Sequence, residues 1–138
     1  MKLALTLLVL SFLIGCSSSK ESASNSGELN GGWFPIKQEI GGQELPPESF
    51  DGERLAIIGK SFLFIAESVD EGTVTYSDGK MDIYVETGAN AGRHFKAIYK
   101  LENNILTICY DLRGGDYPED FRTSEGSNLF LSVFIKEG

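Results

Sequence analysis

Apolar and polar side chains alternate with a period of two along most of this chain, and this pattern limits its fold more than any other feature. The alternating segments are short, rich in Ile, Val, Phe, Tyr and Thr, and separated by turn residues, as strands are. They span residues 54–58, 61–67, 73–76, 81–87, 94–101, 105–110 and 129–135. No stretch of about ten residues carries the apolar stripe of an amphipathic helix. The sequence therefore predicts an all-β fold.

The connections between these segments have the composition of tight turns. They are Gly59-Lys60, Glu71-Gly72, Asp78-Gly79 and Asn103-Asn104. Asp-Gly and Asn-Asn suit the positive φ angles of type I′ turns, and turns this short force neighbouring strands to run antiparallel. We expect a small antiparallel up-and-down β-barrel of about eight strands, because closure removes exposed sheet edges. Residues 47–53, after Pro46, are expected to form a helical turn.

The first residues have the layout of a bacterial secretory signal. Lys2 gives a positive start, and the apolar run 3–14 is shorter than the roughly 20 residues that a membrane-spanning helix needs. The following Leu13-Ile14-Gly15-Cys16 resembles the lipobox of bacterial lipoproteins. That resemblance implies removal of residues 1–15 and attachment of fatty acyl chains to Cys16. A plain secretory signal that ends near a cysteine is the alternative.

Two further segments follow the signal. Residues 16–30 are serine-rich with almost no apolar side chain, which predicts a flexible tether. Residues 31–138 have the length of one domain, which we expect to be the barrel. Ser17 resembles the residue after the cysteine in enteric lipoproteins that are sorted to the outer membrane. The expected location is the cell envelope, with the outer membrane favoured.

The charge balance excludes several partners. The net charge is −8, and the basic residues are scattered, whereas nucleic-acid binding needs clustered Lys and Arg. We expect contact with a membrane through the lipid and not through a basic patch. The acidic residues around Gly114-Gly115 do not follow the spacing of a calcium-binding loop, so we expect a solvated loop with no metal and no cofactor.

Cys109 is the second of two cysteines, so lipidation of Cys16 leaves it without a disulfide partner. In the alternating run 105–110 it lies on the face opposite Leu106, Ile108 and Tyr110. A buried, unreactive thiol is the expectation.

A series of motifs runs through residues 31–138. They are Gly32-Trp33, Gly42-Gln43-Glu44-Leu45-Pro46, Ala97-Ile98-Tyr99-Lys100-Leu101, Ile105-Leu106-Thr107-Ile108-Cys109-Tyr110 and Pro118-Glu119-Asp120-Phe121. The series resembles a lipocalin-like domain family of unknown function that is common in planctomycete proteins, many of them predicted lipoproteins. Tyr117 and Ala97 stand where that family has an arginine and a glycine.

The resemblance implies architecture more than activity. It implies a lipocalin-like barrel and structural roles for Trp33, Asp82, Cys109, Tyr110, Pro118 and Phe121. Gly31-x-Trp33 is similar to the Gly-x-Trp of lipocalins, whose indole plugs the closed end of the barrel. The interior of such a barrel is either filled by side chains or holds one small ligand. Filling is our default, and the candidate ligand contacts are Phe64, Tyr84, Phe95 and Tyr99.

A catalytic site is not indicated. His94 is the only histidine, and the sequence pairs it with no particular serine or aspartate. Asp82 shares a face with Tyr84 and Glu86, and we expect it to make a structural hydrogen bond. Arg93 and Arg113 have the chemistry to bind a carboxylate or phosphate, but surface solubility explains them equally well.

Three functions remain, and an enzyme is the least favoured. The first is a barrel that binds a small apolar or amphipathic ligand. The second is a non-catalytic envelope protein whose loops, such as 88–93 or 112–118, bind or inhibit a protein partner. Ligand binding predicts an apolar cavity of about 300 Å³ or more, whereas partner binding predicts a solid core and an exposed apolar patch.

Overall fold

All strand pairs are antiparallel, and successive strands lie side by side except that the second and third are separated by the first. The computed structural model describes residues 25–138, so the predicted signal peptide, Cys16 and most of the predicted tether lie outside the described residues. The strands are β1 (Gly31–Ile40), β2 (Gln43–Glu44), β3 (Arg54–Ile58), β4 (Ser61–Ile65), β5 (Val69–Ser77), β6 (Lys80–Thr87), β7 (His94–Glu102), β8 (Ile105–Asp111) and β9 (Leu129–Lys136).

The sheet closes through β1, which pairs with β3 on one side and with β9 on the other. Trp33 of β1 therefore lies opposite both Leu55 and Lys136. β2 forms a short hairpin with the end of β1 and stands outside the ring of eight. The prediction of an all-β, antiparallel up-and-down barrel of about eight strands is confirmed.

The period of two did not predict β1 as a strand, and the reason lies at Pro35. Proline cannot donate to a strand ladder, so it is tolerated chiefly at sheet edges and bulges. The pairing of β1 with β9 shifts register between Pro35 and Lys37, which is such a bulge. The alternation of inward and outward side chains is interrupted at this bulge, so the sequence pattern of a strand is interrupted there too.

Three of the four predicted turns are correct and one is wrong. Gly59-Lys60 is the turn between β3 and β4. Asp78 and Gly79 have φ of 51° and 79°, and Asn103 and Asn104 have φ of 51° and 61°, as type I′ turns require. The predicted turn at Glu71-Gly72 is wrong, because both residues lie within β5. A Cβ atom on Gly72 would lie 1.9 Å from the backbone oxygen of Tyr84, so this glycine permits close strand approach. The helical turn is a 3₁₀ turn at Pro47–Ser49.

Residues 25–30 close one end of the barrel. The Asn25 side chain donates to the backbone oxygens of Gly59 and Val74, both at 2.8 Å. The Tyr76 hydroxyl accepts from the backbone N–H groups of Gly27 (3.1 Å) and Leu29 (3.3 Å). Leu29 is fully buried. The predicted tether therefore extends too far, since the apolar Leu29 and these hydrogen bonds make residues 25–30 part of the folded domain.

The connection between β8 and β9, residues 112–128, crosses the outer wall of the barrel, and we call it the strap. Its Tyr117 contacts Asp82 of β6, and its Phe121 ring lies 4.8 Å from the Lys100 ammonium of β7. Its Thr123 hydroxyl donates to Glu39 of β1 at 2.8 Å. The strap therefore spans the outside of the wall from β6 to β1 and buries part of it.

Candidate functional site

The barrel interior contains a cavity of about 340 Å³ that opens at the end opposite residues 25–30. Its walls are mainly apolar, with aliphatic side chains from β3, β5, β6 and β8. Six aromatic side chains complete the lining: Phe62, Phe64, Phe95, Tyr110, Phe130 and Phe134. The default expectation of a filled interior needs correction at this end, because the inward side chains do not meet across the barrel.

Two of the four predicted ligand contacts, Phe64 and Phe95, line this cavity. Tyr84 does not, because it points outward, is 44% exposed and stacks on the His94 ring at 4.2 Å. Tyr99 is buried at the closed end, where its hydroxyl donates to Glu28 at 3.2 Å and its ring meets Tyr76 edge-on. Burial, and then the charge of Glu28, raise the pKa of Tyr99 to about 12. The cavity therefore contains two of the four predicted ligand contacts, together with Phe62, Tyr110, Phe130 and Phe134.

The cavity mouth carries a short polar network. The Asn90 amide donates to Asp70 at 2.7 Å, and Arg93 donates to the Asn90 side-chain oxygen at 3.3 Å. A second Arg93 nitrogen donates to the backbone oxygen of Leu112 at 2.8 Å, and the guanidinium lies 5.0 Å from the centre of the Phe95 ring. Asn90 thus links the Asp70 carboxylate to the Arg93 guanidinium. The hydrogen bond from Arg93 to Leu112 then holds loop 88–93 against the start of the strap.

Ser132 is a polar residue deeper in the wall. It is 1% exposed and lines the cavity, and its hydroxyl has no hydrogen-bond partner within residues 25–138. Along β9 the inward positions are Phe130, Ser132 and Phe134. A serine in the apolar phase of an alternating strand was the available sequence signal, but Asp70 and Asn90 gave none, because only the fold brings them together.

A second cluster lies on the outer wall, where Asp82 of β6 faces His94 of β7. His94 Nε2 lies 2.7 Å from one Asp82 oxygen, and the Tyr117 hydroxyl donates to the other at 2.5 Å. The hydrogen bond to Asp82 is the main cause that raises the pKa of Tyr117 to about 12. Lys80 and Lys96 lie 5.1 and 5.2 Å from the Tyr117 ring centre. The hydrogen bond from Tyr117 to Asp82 holds the strap against the outer wall. It is a structural hydrogen bond of the kind expected for Asp82.

The remaining structural candidates surround the wall. Trp33 is fully buried at the closed end, where its indole N–H donates to the Leu29 backbone oxygen at 3.0 Å. Cys109 is fully buried on the outer face of β8 under the strap. Burial, and then Glu39, raise the pKa of the Cys109 thiol to about 11, which disfavours the reactive thiolate. Pro118 is buried and Phe121 half-buried in the strap.

Within residues 25–138 no three His, Cys, Asp or Glu side chains are placed to hold a metal ion. The same part of the chain contains no helix long and apolar enough to cross a membrane. Arg113, the other arginine considered for anion binding, is exposed on the strap and is not among the residues that line the cavity. Comparison with protein-family models, curated proteins and solved structures returns no match.

Proposed function

We propose that this protein is a lipid-anchored lipoprotein of the bacterial envelope whose barrel binds one small apolar or amphipathic molecule. The lipobox at residues 13–16 supports the anchor. The cavity supports ligand binding and is the observation that carries the proposal. No step of this function requires a cofactor, a metal or catalysis.

The cavity has the character of a small-molecule site. Such sites enclose about 300–1,000 Å³, have mainly apolar walls and carry a few placed polar groups. A volume of about 340 Å³ lies at the small end of that range. The residues with polar groups in this lining are Ser132 and Tyr110 in the wall and the Asp70, Asn90 and Arg93 network at the mouth. The ligand of this proposal is therefore small and enters through the mouth.

Native mass spectrometry of the intact protein, extracted from its own host in a mild detergent, tests ligand binding. We expect an added mass that disappears when the protein is unfolded. Leu112→Trp would place a large ring at the mouth, so this variant should lose the added mass. Leu63→Trp is the matched control, because Leu63 is half-buried on β4 and does not line the cavity. A bare mass in every preparation would contradict the proposal.

Membrane fractionation tests the anchor. Cys16→Ser removes the thiol that would carry the lipid, so we expect the variant to leave the membrane fraction. Two or more acyl chains are needed for stable attachment, which makes the expected change large. Cys109→Ser is the control, because that thiol is buried in the barrel wall and should leave the fractionation unchanged. Continued membrane attachment of the Cys16 variant would contradict the anchor.

A second candidate function, binding of an envelope protein, is favoured by one feature of the outer wall. Phe34 of β1 lies opposite Ile135 of β9, which lies opposite Ile105 of β8. These three side chains and Ile36 are 40–48% exposed and form an apolar patch, and such patches often mark binding surfaces. Ile135→Lys should weaken capture of a partner from envelope extracts without changing the ligand mass. Unchanged capture would remove this candidate.

A further inference from the structure

Ser132 lines the cavity and carries a hydroxyl that lacks a hydrogen-bond partner within residues 25–138. Its side chain is inside the barrel, on the same phase of β9 as Phe130 and Phe134. Its Oγ is buried and makes no hydrogen bond to any residue between 25 and 138. Buried hydroxyls are nearly always paired in folded proteins, because an unpaired one loses its bonds to water and gains nothing in return. A group that enters the cavity can supply the missing bond.

The charges around the cavity indicate that this group is uncharged. The charged residues among those that line the cavity are Asp70 and Arg93, and Asn90 hydrogen-bonds to both. Both charged groups lie at the mouth and already hydrogen-bond to Asn90 or to the Leu112 backbone oxygen, so the deeper part of the cavity offers an ion no counter-charge. Burial, and then the charge of Glu53, raise the pKa of Tyr110, so this part of the wall disfavours a further negative charge.

The shape of the lining indicates the body of the ligand. Six aromatic rings line a cavity of about 340 Å³, and aromatic rings favour offset or edge-on contact with other rings. A flat ring system fills such a space with less loss of conformational freedom than a flexible chain does.

We infer that the cavity selects an uncharged molecule with a compact ring body and one hydroxyl or carbonyl group, which hydrogen-bonds to the Ser132 hydroxyl. This inference rests on the proposed function. Ser132 donates to a carbonyl ligand and either donates to or accepts from a hydroxyl ligand. The polar network at the mouth remains bonded to itself and does not have to open to hold the bound group.

Calorimetric titration with naphthalene and two of its derivatives tests the inference on the intact protein in detergent. Naphthalene has the body alone, 2-naphthol adds a neutral hydroxyl, and 2-naphthoate adds a charge. We expect 2-naphthol to bind about threefold to tenfold more tightly than naphthalene, the gain from one net hydrogen bond, and 2-naphthoate to bind most weakly. In Ser132→Ala the advantage of 2-naphthol should disappear while naphthalene affinity is kept.

Matched variants separate a local effect from a general one. Ser61→Ala removes an exposed serine from β4 and should keep the 2-naphthol preference. Ser132→Cys retains the size of the side chain with a weaker donor and should reduce the preference. Thermal unfolding of each variant checks that the barrel is intact, and Ser132→Cys serves if Ser132→Ala does not fold.

The outcomes distinguish the inference from the function beneath it. Equal affinity for naphthalene and 2-naphthol, or a preference that survives in both Ser132 variants, would overturn the role of Ser132 and leave ligand binding standing. Tightest binding of 2-naphthoate would overturn the preference for an uncharged ligand. If none of the three binds, the ring-body inference fails, and the native mass measurement decides whether the proposed function stands.

Discussion

The two ends of this barrel share the same eight strands but treat their polar groups in opposite ways. At the closed end, Trp33, Tyr76 and Tyr99 all hydrogen-bond to residues 25–30. At the open end, the wall contains the unpaired Ser132 hydroxyl and a cavity of about 340 Å³. The polar groups named at the closed end are hydrogen-bonded, whereas the open end contains one unpaired hydroxyl and an unfilled cavity.

Stability and ligand binding are expected to depend on opposite ends of the barrel. Close packing and paired polar groups stabilise a fold, so the closed end should contribute more to the free energy of unfolding. Regions with fewer buried contacts open more easily and commonly carry binding sites. Substitutions placed at the two ends should therefore separate stability from ligand affinity.

The largest effect is expected for Trp33→Ala. The indole is fully buried and holds the Leu29 oxygen, so the variant creates a cavity and breaks a hydrogen bond. We expect the free energy of unfolding to fall by about 3–5 kcal/mol. Chemical denaturation measures this free energy. The control is Ile58→Ala, because Ile58 is 73% exposed and its substitution should change the free energy of unfolding by less than about 0.5 kcal/mol. A small loss for Trp33→Ala would refute the assignment of stability to the closed end.

A smaller effect is expected for Tyr76→Phe. This change keeps the ring but removes the hydroxyl that accepts from Gly27 and Leu29. A buried N–H left without a partner costs roughly 1–3 kcal/mol, and denaturation should show a loss of that size. Tyr84→Phe, at an exposed position, is the control and should be near neutral. Equal losses in the two variants would mean that residues 25–30 add little to the domain.

At the open end, Phe64→Ala should lower ligand affinity while it lowers the free energy of unfolding less than Trp33→Ala does. Phe64 is half-buried and borders space that is already empty, so we expect a stability loss of about 1–2 kcal/mol, below that of a filled site. Naphthalene affinity should fall, because part of the wall is gone. If stability falls as far as in Trp33→Ala and affinity is unchanged, Phe64 is core and not part of a binding site.

The smallest effect on stability is expected at the strap, which lies outside both ends. Tyr117 has its pKa raised from 10.0 to about 12, so its protonated form is favoured in the folded state. Its contribution is therefore complete below about pH 10 and is lost as the pH rises through about 12. Tyrosinate absorbance during alkaline titration should show this late transition, and Asp82→Asn should move it towards the ordinary value. Tyr99 also titrates late, with a pKa of about 12, so the Tyr117 part is identified as the absorbance that Tyr117→Phe removes from this transition. A late transition of unchanged size in Tyr117→Phe would contradict the assignment.

Sequence periodicity was sufficient to predict the fold class and the strands from β3 to β9, because strand alternation and turn chemistry are local. Asp78-Gly79 and Asn103-Asn104 carry their conformations in their own residue types. Gly72 shows the limit, because a glycine marks either a turn or a close approach of backbones, and only the position of Tyr84 decides between them. Leu29 shows a second limit. It is a single apolar residue in a polar run, and its burial depends on contact with Trp33, which the local sequence does not reveal.

The site was less predictable than the fold. Alternation already put Tyr84 on the face of Asp82, so its assignment to the interior did not follow from the pattern. Phe64 and Phe95 were correctly assigned to the inward face. Whether inward side chains fill a barrel depends on its radius and on small inward residues such as Ala97, which is fully buried. The barrel radius and the positions that face each other inside it depend on the register between strands, which cannot be read from any single segment.

The pairing of β1 with β9 has a consequence for how the chain folds. The other barrel pairings join strands that follow each other or, for β1 and β3, are separated only by the short β2, but this one joins the first and last strands of the described chain. Closing such a long loop slows folding, and until β9 arrives both β1 and β8 present open edges. During that interval an incomplete sheet can add a strand from another molecule. The rate at which the last strand docks therefore sets the time window for aggregation.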